Sequence, residues 1–383
     1  MDTIITALTS LAQGFANITW QAVIMILVGC VLLYLGAFRK IEPLLLIPIG
    51  FGILLGNLPL AGMSAGDEGG VVSLLYKAGI LTELFPSLLF IGLGAMIDFG
   101  PLLANPSVLI FGAAGQFGIF LTLLLALAIG FPIQHAVSIA IIGACDGPTS
   151  IYVTSKYARD LLPAVSIAAY SYMSLVPIIQ PPIMRALTTK KERATLMPYG
   201  EKKVSKTVKI LFPVVAGIIT ILIAPMGAPL MGMLMLGNFI KESGVVQRLT
   251  DVSENTITNV VTLFLGLCIG ASMLGGNFLR WQTIMVFILG LIAISLDTVT
   301  GVLIGKFMYW VTKGKINPLL GAAGTSAFPM SARVVQREGQ KANPRSFLLF
   351  NAIGANTGGQ IGSVMAAAVI LAILSGMGIQ PLG

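Results

Sequence analysis

Charge is scarce in this chain: Asp, Glu, Lys and Arg together make up 10% of 383 residues. An ordinary soluble domain carries about 25%. With 56% hydrophobic residues and a mean hydropathy of +0.93, the composition excludes a soluble fold with an outsized core. Histidine is rarer still. The single one, His135, stands at the start of an apolar segment, where a structural role fits and a His-based catalytic pair is unsupported. The three cysteines, Cys30, Cys145 and Cys268, all lie in apolar runs, which argues against a disulfide framework. Strand-like alternation is missing too, so the long apolar runs read as helices rather than barrel strands. Neither a P-loop nor a metal-ligand cluster occurs. Energy for any uphill step must come from a gradient or from a reaction brought by another subunit.

What is present is a polytopic helical membrane protein. Apolar segments run over about 20–37, 42–58, 81–98, 105–130, 133–157 and 162–187, then about 208–225, 228–241, 258–275, 281–305, 316–335 and 346–376. The lead before Trp20 has no basic n-region and no small-residue cleavage site, so the first run is expected to be a retained membrane helix. The 44 glycines and 17 methionines fit close helix packing. A net charge of +8 does not point to nucleic acid, because the basic residues cluster in loops. Lys190, Lys191, Arg193, Lys202, Lys203, Lys206 and Lys209 form one cluster, and Arg333, Arg337, Lys341 and Arg345 another. Such clusters are orientation signals.

The two sets of segments look alike. Pro48-Ile-Gly-Phe-Gly-Ile-Leu-Leu-Gly-Asn57 recurs as Pro229-Leu-Met-Gly-Met-Leu-Met-Leu-Gly-Asn238, and Leu89-Phe-Ile-Gly-Leu93 as Leu263-Phe-Leu-Gly-Leu267. Gly147-Pro-Thr-Ser150 has a shorter echo in Gly324-Thr-Ser326, and Gln180 one in Gln360. Offsets of 174 to 181 residues in constant order indicate an internal duplication. The expected organisation is an N-terminal lead (1–19), a first membrane repeat (20–187), a basic cytoplasmic loop (188–207) and a second repeat (208–383). Three basic loops, Arg39-Lys40, 190–209 and 333–345, should face the cytoplasm. They do so if 42–58 and 228–241 are re-entrant or interfacial. Each repeat then has five spans and the halves are inverted. The expected fold is therefore all-α, with about 10–12 membrane segments, two inverted repeats, discontinuous crossing helices and short re-entrant segments.

The chemistry concentrates at Gly143-Ala-Cys-Asp-Gly-Pro-Thr-Ser150. A charge at mid-membrane costs about 2.5–3.5 kcal/mol on insertion scales, so Asp146 needs a partner or a function. Gly147-Pro148 breaks the helix at the same depth and frees backbone groups that are tolerated only where they line a polar site. Na+ wants several oxygens. Asp146, Thr149 and Ser150 supply some, and the second segment supplies Asn317 and Gly321-Ala-Ala-Gly-Thr-Ser326. A carboxylate withdrawn from water holds either a cation or a proton, so Na+ and H+ compete for it. Tyr170 and Tyr172 are phenols one helix later. Lys156 and Arg333 follow the two breaks at similar distances, as snorkelling anchors or as groups that meet an anionic substrate. Asp98, near a helix end, reads equally as an interfacial cap or a functional acid, and Asp297 as a structural, hydrogen-bonded carboxylate.

These motifs resemble a known family. Gly143 to Tyr152, Asn317 to Arg333, Glu42-Pro-Leu-Leu-Leu46 and Asn351-Ala-Ile-Gly-Ala-Asn356 are similar to the β subunits of the Na+-transporting carboxylic-acid decarboxylases. That group includes pumps acting on oxaloacetate, methylmalonyl-CoA, glutaconyl-CoA and malonate. The resemblance implies a membrane subunit that decarboxylates carboxybiotin, consumes a proton and exports Na+ across a bacterial or archaeal cytoplasmic membrane. It implies partners as well: a carboxyltransferase α subunit, a biotin carrier subunit and a small membrane-anchor subunit of γ/δ type, in a complex expected to hold more than one copy of this chain. No Ala-Met-Lys-Met biotinylation site occurs, in keeping with biotin arriving on a partner. By motif position the resemblance makes Asp146, Tyr172 and Arg333 functional, with Arg333 toward carboxybiotin; Lys156, a basic residue about ten residues after the first break, is a second candidate for that group. Asn317, Gly321, Ser326 and Asn356 join Asp146 and Thr149 around Na+. The competing reading is a Na+-coupled symporter or Na+/H+ antiporter without enzymatic activity, which fold-level analogy alone does not separate.

Overall fold

A computed structural model of the chain describes residues 13–67, 69–197 and 204–382. Lys202 and Lys203 of the basic loop, and residues 1–12 of the lead, lie outside the described residues. Among the described residues there are helices and turns but no strand. Only a helix satisfies its backbone polar groups within one segment in a lipid interior.

The first half opens with α1 (Trp20–Ala37), capped by Thr19, and α2 (Pro43–Asn57), with Pro43 at its first position. α3 (Val71–Leu75) runs through a π-turn (Tyr76–Leu81) and bends by 61° into α4 (Leu84–Met96). Next come α5 (Leu109–Ala114), α6 (Phe117–Ile129), α7 (Ile133–Ala140), α8 (Gly147–Tyr157) and α9 (Leu162–Leu187). The second half repeats the plan. α10 (Lys206–Ile223), capped by Ser205, is followed by α11 (Ala228–Ser243). α12 (Gln247–Asp251) again passes through a π-turn (Val252–Ile257), into α13 (Thr258–Ser272). Then follow α14 (Trp281–Val311), a 3-10 segment (Pro318–Gly324), α15 (Met330–Ala342) and α16 (Leu349–Gly376). Both halves place a six-residue π-turn ahead of an apolar helix, α4 in the first and α13 in the second.

Among the described residues seven helices are long and apolar enough to cross a membrane, or eight if the bent pair α3–α4 is one span. Pro43–Asn57 is apolar but has 15 residues, or about 22 Å of helix against a hydrocarbon core of about 30 Å. Ile133–Ala144 is also too short to cross alone.

The described chain forms two compact units, each drawing on both halves. One draws on the described residues of Met1–Phe85, Leu162–Ala164 and Asn259–Ile284, and the other on those of Pro86–Leu161, Val165–Thr258 and Met285–Gly383. Within the first, α2 and α13 meet backbone to backbone: a β-carbon on Gly52 would fall 2.3 Å from the Leu267 carbonyl oxygen. Asn57 closes that contact, its Nδ2 donating to Ile53 O at 2.9 Å and Met273 O at 2.8 Å. Within the second, α4 and α11 meet in the same way, and a β-carbon on Gly94 would lie 1.9 Å from Leu234 O. Asn238 Nδ2 donates there to Gly94 O at 3.2 Å and Ile97 O at 3.0 Å. The recurring Gly-Asn pair of the sequence is therefore a helix-packing device used twice.

Candidate functional site

The first break is built by four consecutive residues. A 3-10 turn, Ile141–Ala144, ends α7, and Cys145 takes a left-handed conformation with φ 53°. Asp146 then becomes the N-cap of α8, with Pro148 in its first turn, where a missing N–H costs no hydrogen bond. The cap is made by the carboxylate itself: Thr149 N lies 3.5 Å from Oδ1 and Thr149 Oγ1 donates to Oδ2 at 2.6 Å. Tyr170 covers the turn, its ring so near Gly147 that a β-carbon there would meet it at 2.3 Å.

The second half completes the environment of this carboxylate. From α16, Gln360 Nε2 donates to Oδ2 at 2.8 Å and Ser363 Oγ at 3.2 Å. Oδ2 therefore accepts three donors, whereas Oδ1 has only the long amide contact. Asp146 is 3% exposed, and among the described residues no Lys, Arg or His pairs with it. Hydrogen bonds stabilise an anion but leave its net charge. A buried carboxylate in such surroundings requires a cation or a proton.

The second break comes directly against the first. Thr325 is extended after the 3-10 segment, and Ser326 N donates across to Ala144 O at 3.2 Å. Ser326 Oγ donates to Gly359 O at 2.7 Å, and Asn356 Nδ2 to Thr325 O. Gln180, from α9, donates to Ala322 O at 2.9 Å. Gln116, just ahead of α6, reaches the Gly112, Gly324 and Gly359 carbonyls, each at 3.3 Å. Gln180 Nε2 also reaches Thr325 Oγ1 at 3.4 Å, and each of these three amides spends its NH2 on carbonyls. Its own oxygen, Gln116 Oε1, Gln180 Oε1 or Asn356 Oδ1, is buried without a donor. Acceptor oxygens with no donor fit a hard monovalent cation.

Of the residues singled out from sequence, the structure gathers Asp146, Thr149, Ser326 and Asn356 at the two breaks. Asn317 instead caps the 3-10 segment, with Nδ2 on Arg193 O and Thr195 O at 2.9 Å each and Oδ1 receiving Leu319 N at 3.0 Å. Gly321 is a backbone contact point on α14, since a β-carbon there would fall 1.8 Å from Gly301 O. Tyr172 donates its hydroxyl to Phe287 O and packs its ring against Gly290. Arg333 is exposed in the first turn of α15. Lys156 holds its ammonium 4.8 Å above the Tyr152 ring.

The other acids divide. Asp98 is a cap, accepting Gly100 N at 2.8 Å and pairing with Lys209 at 3.1 Å. His135 pairs with Asp160 at 3.2 Å and holds that carboxyl below its ordinary range through a hydrogen bond, as its structural reading implied. Asp297 differs from expectation: it is fully buried, and neither oxygen makes a hydrogen bond of good geometry. Gln116, Gln360 and Ser363 carry no site role in the sequence reading, and Gln180 and Gln360 stand there only as repeat markers. Their signal was available as polar side chains inside apolar runs.

Residues 21–374 match the family described as Na+-transporting oxaloacetate decarboxylase beta subunit. The chain is 52% identical over 363 residues to a methylmalonyl-CoA decarboxylase subunit beta of Veillonella parvula, covering 95% of this chain and 96% of that one. It is 49% identical over 378 residues to a glutaconyl-CoA decarboxylase subunit beta of Acidaminococcus fermentans, with 98% and 100% covered. An oxaloacetate decarboxylase beta chain 2 of Salmonella typhi is 45% identical over 426 residues, with 95% and 98% covered.

Proposed function

The chain belongs to the family of Na+-transporting oxaloacetate decarboxylase β subunits, and from that premise we propose that it is the membrane subunit of a primary Na+ pump driven by decarboxylation of carboxybiotin. It consumes one proton in that reaction and exports Na+. The observation that carries the reading is Asp146: a buried carboxylate with three donors on one oxygen, the other nearly free, and no basic partner among the described residues.

Na+ is the cargo. In this reading Asp146 Oδ1 supplies the charge that attracts it. Thr149, Ser326 and Asn356, together with the unpaired oxygens of Gln116 and Gln180, supply neutral ligands along its path between the breaks. Asn317 and Gly321 serve the site through the shape of the 3-10 segment. Inverted halves would bring the two breaks in from opposite faces. The reciprocal reach of Gln180 into the second break and Gln360 into the first supports that arrangement, since reciprocal contacts are what a two-fold relation produces.

Carboxybiotin, carried by a partner subunit, supplies a nitrogen-bound carboxyl group that leaves as CO2 while the nitrogen takes up a proton. Arg333 fits its carboxylate, being an exposed guanidinium just past the second break with no ion pair among the described residues. Lys156 is a second basic group, engaged on Tyr152. Tyr172 is the hydroxyl assigned to proton relay. The relatives are named as β subunits, which supports a complex with a carboxyltransferase α subunit, a biotin carrier and a small γ/δ-type membrane subunit. Its place is the cytoplasmic membrane.

The test uses vesicles holding the complete complex. Decarboxylation should drive Na+ uptake that avidin blocks, and Asp146→Asn should abolish both the uptake and the Na+-dependent decarboxylation. Full coupled activity in that variant refutes the assignment, and Na+ transport that ignores avidin returns the chain to the symporter or antiporter class.

A further inference from the structure

Asp297 has no part in the reading above. It lies within α14, fully buried, with both carboxyl oxygens unpaired. Two close approaches locate it: a β-carbon built on Gly118 would fall 2.2 Å from Oδ1, and one on Gly143 2.9 Å from Oδ2. The carboxyl therefore lies between the first turn of α6, whose Gly118 and Ile119 amides face it, and the turn that leads into Cys145 and Asp146. Thr122, one turn further along α6 on the Gly118 face, has a buried hydroxyl that is also unpaired.

Few titratable groups surround it. α5 and α6 contribute none, and the 3-10 segment Pro318–Gly324 none. Segment 133–144 has only His135, eight residues before Gly143. Tyr172, on α9, bonds α14 at Phe287, ten residues before Asp297. The nearest cation on α14 itself is Lys306, nine residues away, or about 13 Å along the axis. The buried Cys145 stands two residues past Gly143, which packs on the Asp297 carboxyl, and directly before Asp146. Two acids thus flank one buried thiol, with no basic partner on either among the described residues.

We propose that Asp297 is a second cation site of the transport path and that the cation it takes is a proton. A lone buried carboxylate needs a compensating positive charge. The amides facing Asp297 favour its anion and add no oxygen for a metal ion, so the anion they tolerate is discharged by forming an O–H bond. Uptake forms that bond with a proton from water. Release breaks it and returns the proton to water or to a neighbouring carboxylate, with no electron transferred. The inference deepens the reading of Asp146 as the Na+ site and rests on it for the coupling: Asp297 carries the proton whose movement accompanies Na+ at Asp146.

A hydrophobic carbodiimide, which modifies buried protonated carboxyls, tests both acids at once in the wild-type complex, read by peptide mass spectrometry. Asp297 should be modified with Na+ present, more at acid than at alkaline pH, whereas Na+ should protect Asp146. Absence of modification at Asp297 at every pH that labels Asp146 overturns the proposal. Modification of Asp297 without Na+ protection of Asp146 supports the proton site and counts against the Na+ site. In vesicles, Asp297→Asn should keep Na+ binding but lose one titration step, about tenfold in rate per pH unit, from the pH profile of coupled Na+ uptake. Asp297→Glu should restore it. An unchanged profile in Asp297→Asn overturns the proposal as well.

Discussion

Gly321→Ala is the substitution that most directly tests how the second break is held. The added β-carbon would stand 1.8 Å from Gly301 O and 2.9 Å from Val302 N, where real contacts do not fall below 3.0 Å. The two backbones must therefore part by about 1.2 Å, the difference between 3.0 and 1.8 Å. Gly301 belongs to α14, a helix of 31 residues, so the seven-residue 3-10 segment is the part that yields. Ser326 follows directly after that segment. A shift of that size would stretch its 3.2 Å bond to Ala144 O beyond hydrogen-bonding range. Overpacking of this kind costs about 1–3 kcal/mol of stability, and a misplacement of about 1 Å at a reacting centre can cost about 100-fold in rate. Thermal unfolding in detergent should show the first loss, and Na+-dependent decarboxylation by the reconstituted complex the second. Gly276→Ala, whose β-carbon meets nothing within 4 Å, is the control. The carbonyl of residue 321 survives the change, so the effect separates packing from ligation. A Gly321→Ala complex with unchanged stability and Na+ dependence refutes the reasoning.

Two further outcomes follow from hydrogen bonds at the site and at the helix ends. Gln360→Leu removes the 2.8 Å donor from Asp146 Oδ2, a bond to a charged group of about 1.5–3 kcal/mol. The Na+ concentration for half-maximal decarboxylation should rise about tenfold or more, and an unchanged Na+ titration counts against Gln360 as a support of the carboxylate. Glu338, buried in α15, takes a forked pair from Arg185 at 2.7 and 2.8 Å and a third bond from Lys341 at 2.8 Å. The Arg185 guanidinium holds the Glu338 carboxyl below its ordinary range. A depressed carboxyl stabilises the fold above its unfolded value, near 4.3, and loses that contribution as pH falls through the lower folded value. Thermal unfolding across acid pH should show this loss in the wild type and a flatter acid limb in Glu338→Gln.

The parts of this molecule that declare themselves in sequence are those whose cause is local. Asp146 beside Gly147-Pro148 is a charge and a helix break in one apolar run, and the structure makes it the N-cap of α8. The Gly-Asn pairs at 57 and 238 recur as a phrase because each performs the same packing task. What stayed hidden is set by partners far apart in the chain. Gln360 and Ser363 reach Asp146 across 214 and 217 residues, and no local pattern marks which polar side chain of a long apolar helix points at which break. Asn317 illustrates the converse. It reads as an oxygen donor, but its amide is occupied by the Arg193 and Thr195 carbonyls, a loop contact without a signature in sequence. Asp297 was expected to be a structural, hydrogen-bonded carboxylate because its segment, Ser295-Leu-Asp-Thr-Val-Thr300, holds no helix break. Its exposure of 0%, with the Gly118 and Ile119 amides facing it but no hydrogen bond of good geometry, is a property of packing between distant segments.

The duplication also explains why one acid, rather than two, occupies the breaks. At the offset of 177 that relates Gly147 to Gly324, the position of Asp146 falls on Ala323. The breaks are joined by the Ser326 to Ala144 hydrogen bond, so a second carboxylate at 323 would bring like charges together in a medium of low polarity, which destabilises both ionised forms. With an alanine there the two breaks carry a single carboxylate between them. The glutamines show the same division of labour. Gln180 meets a carbonyl and a hydroxyl, Ala322 O and Thr325 Oγ1, whereas its counterpart Gln360 meets the carboxylate. Two amides, 180 residues apart, thus take different partners. The first break thus carries the carboxylate, while buried amide oxygens without a donor lie against the second.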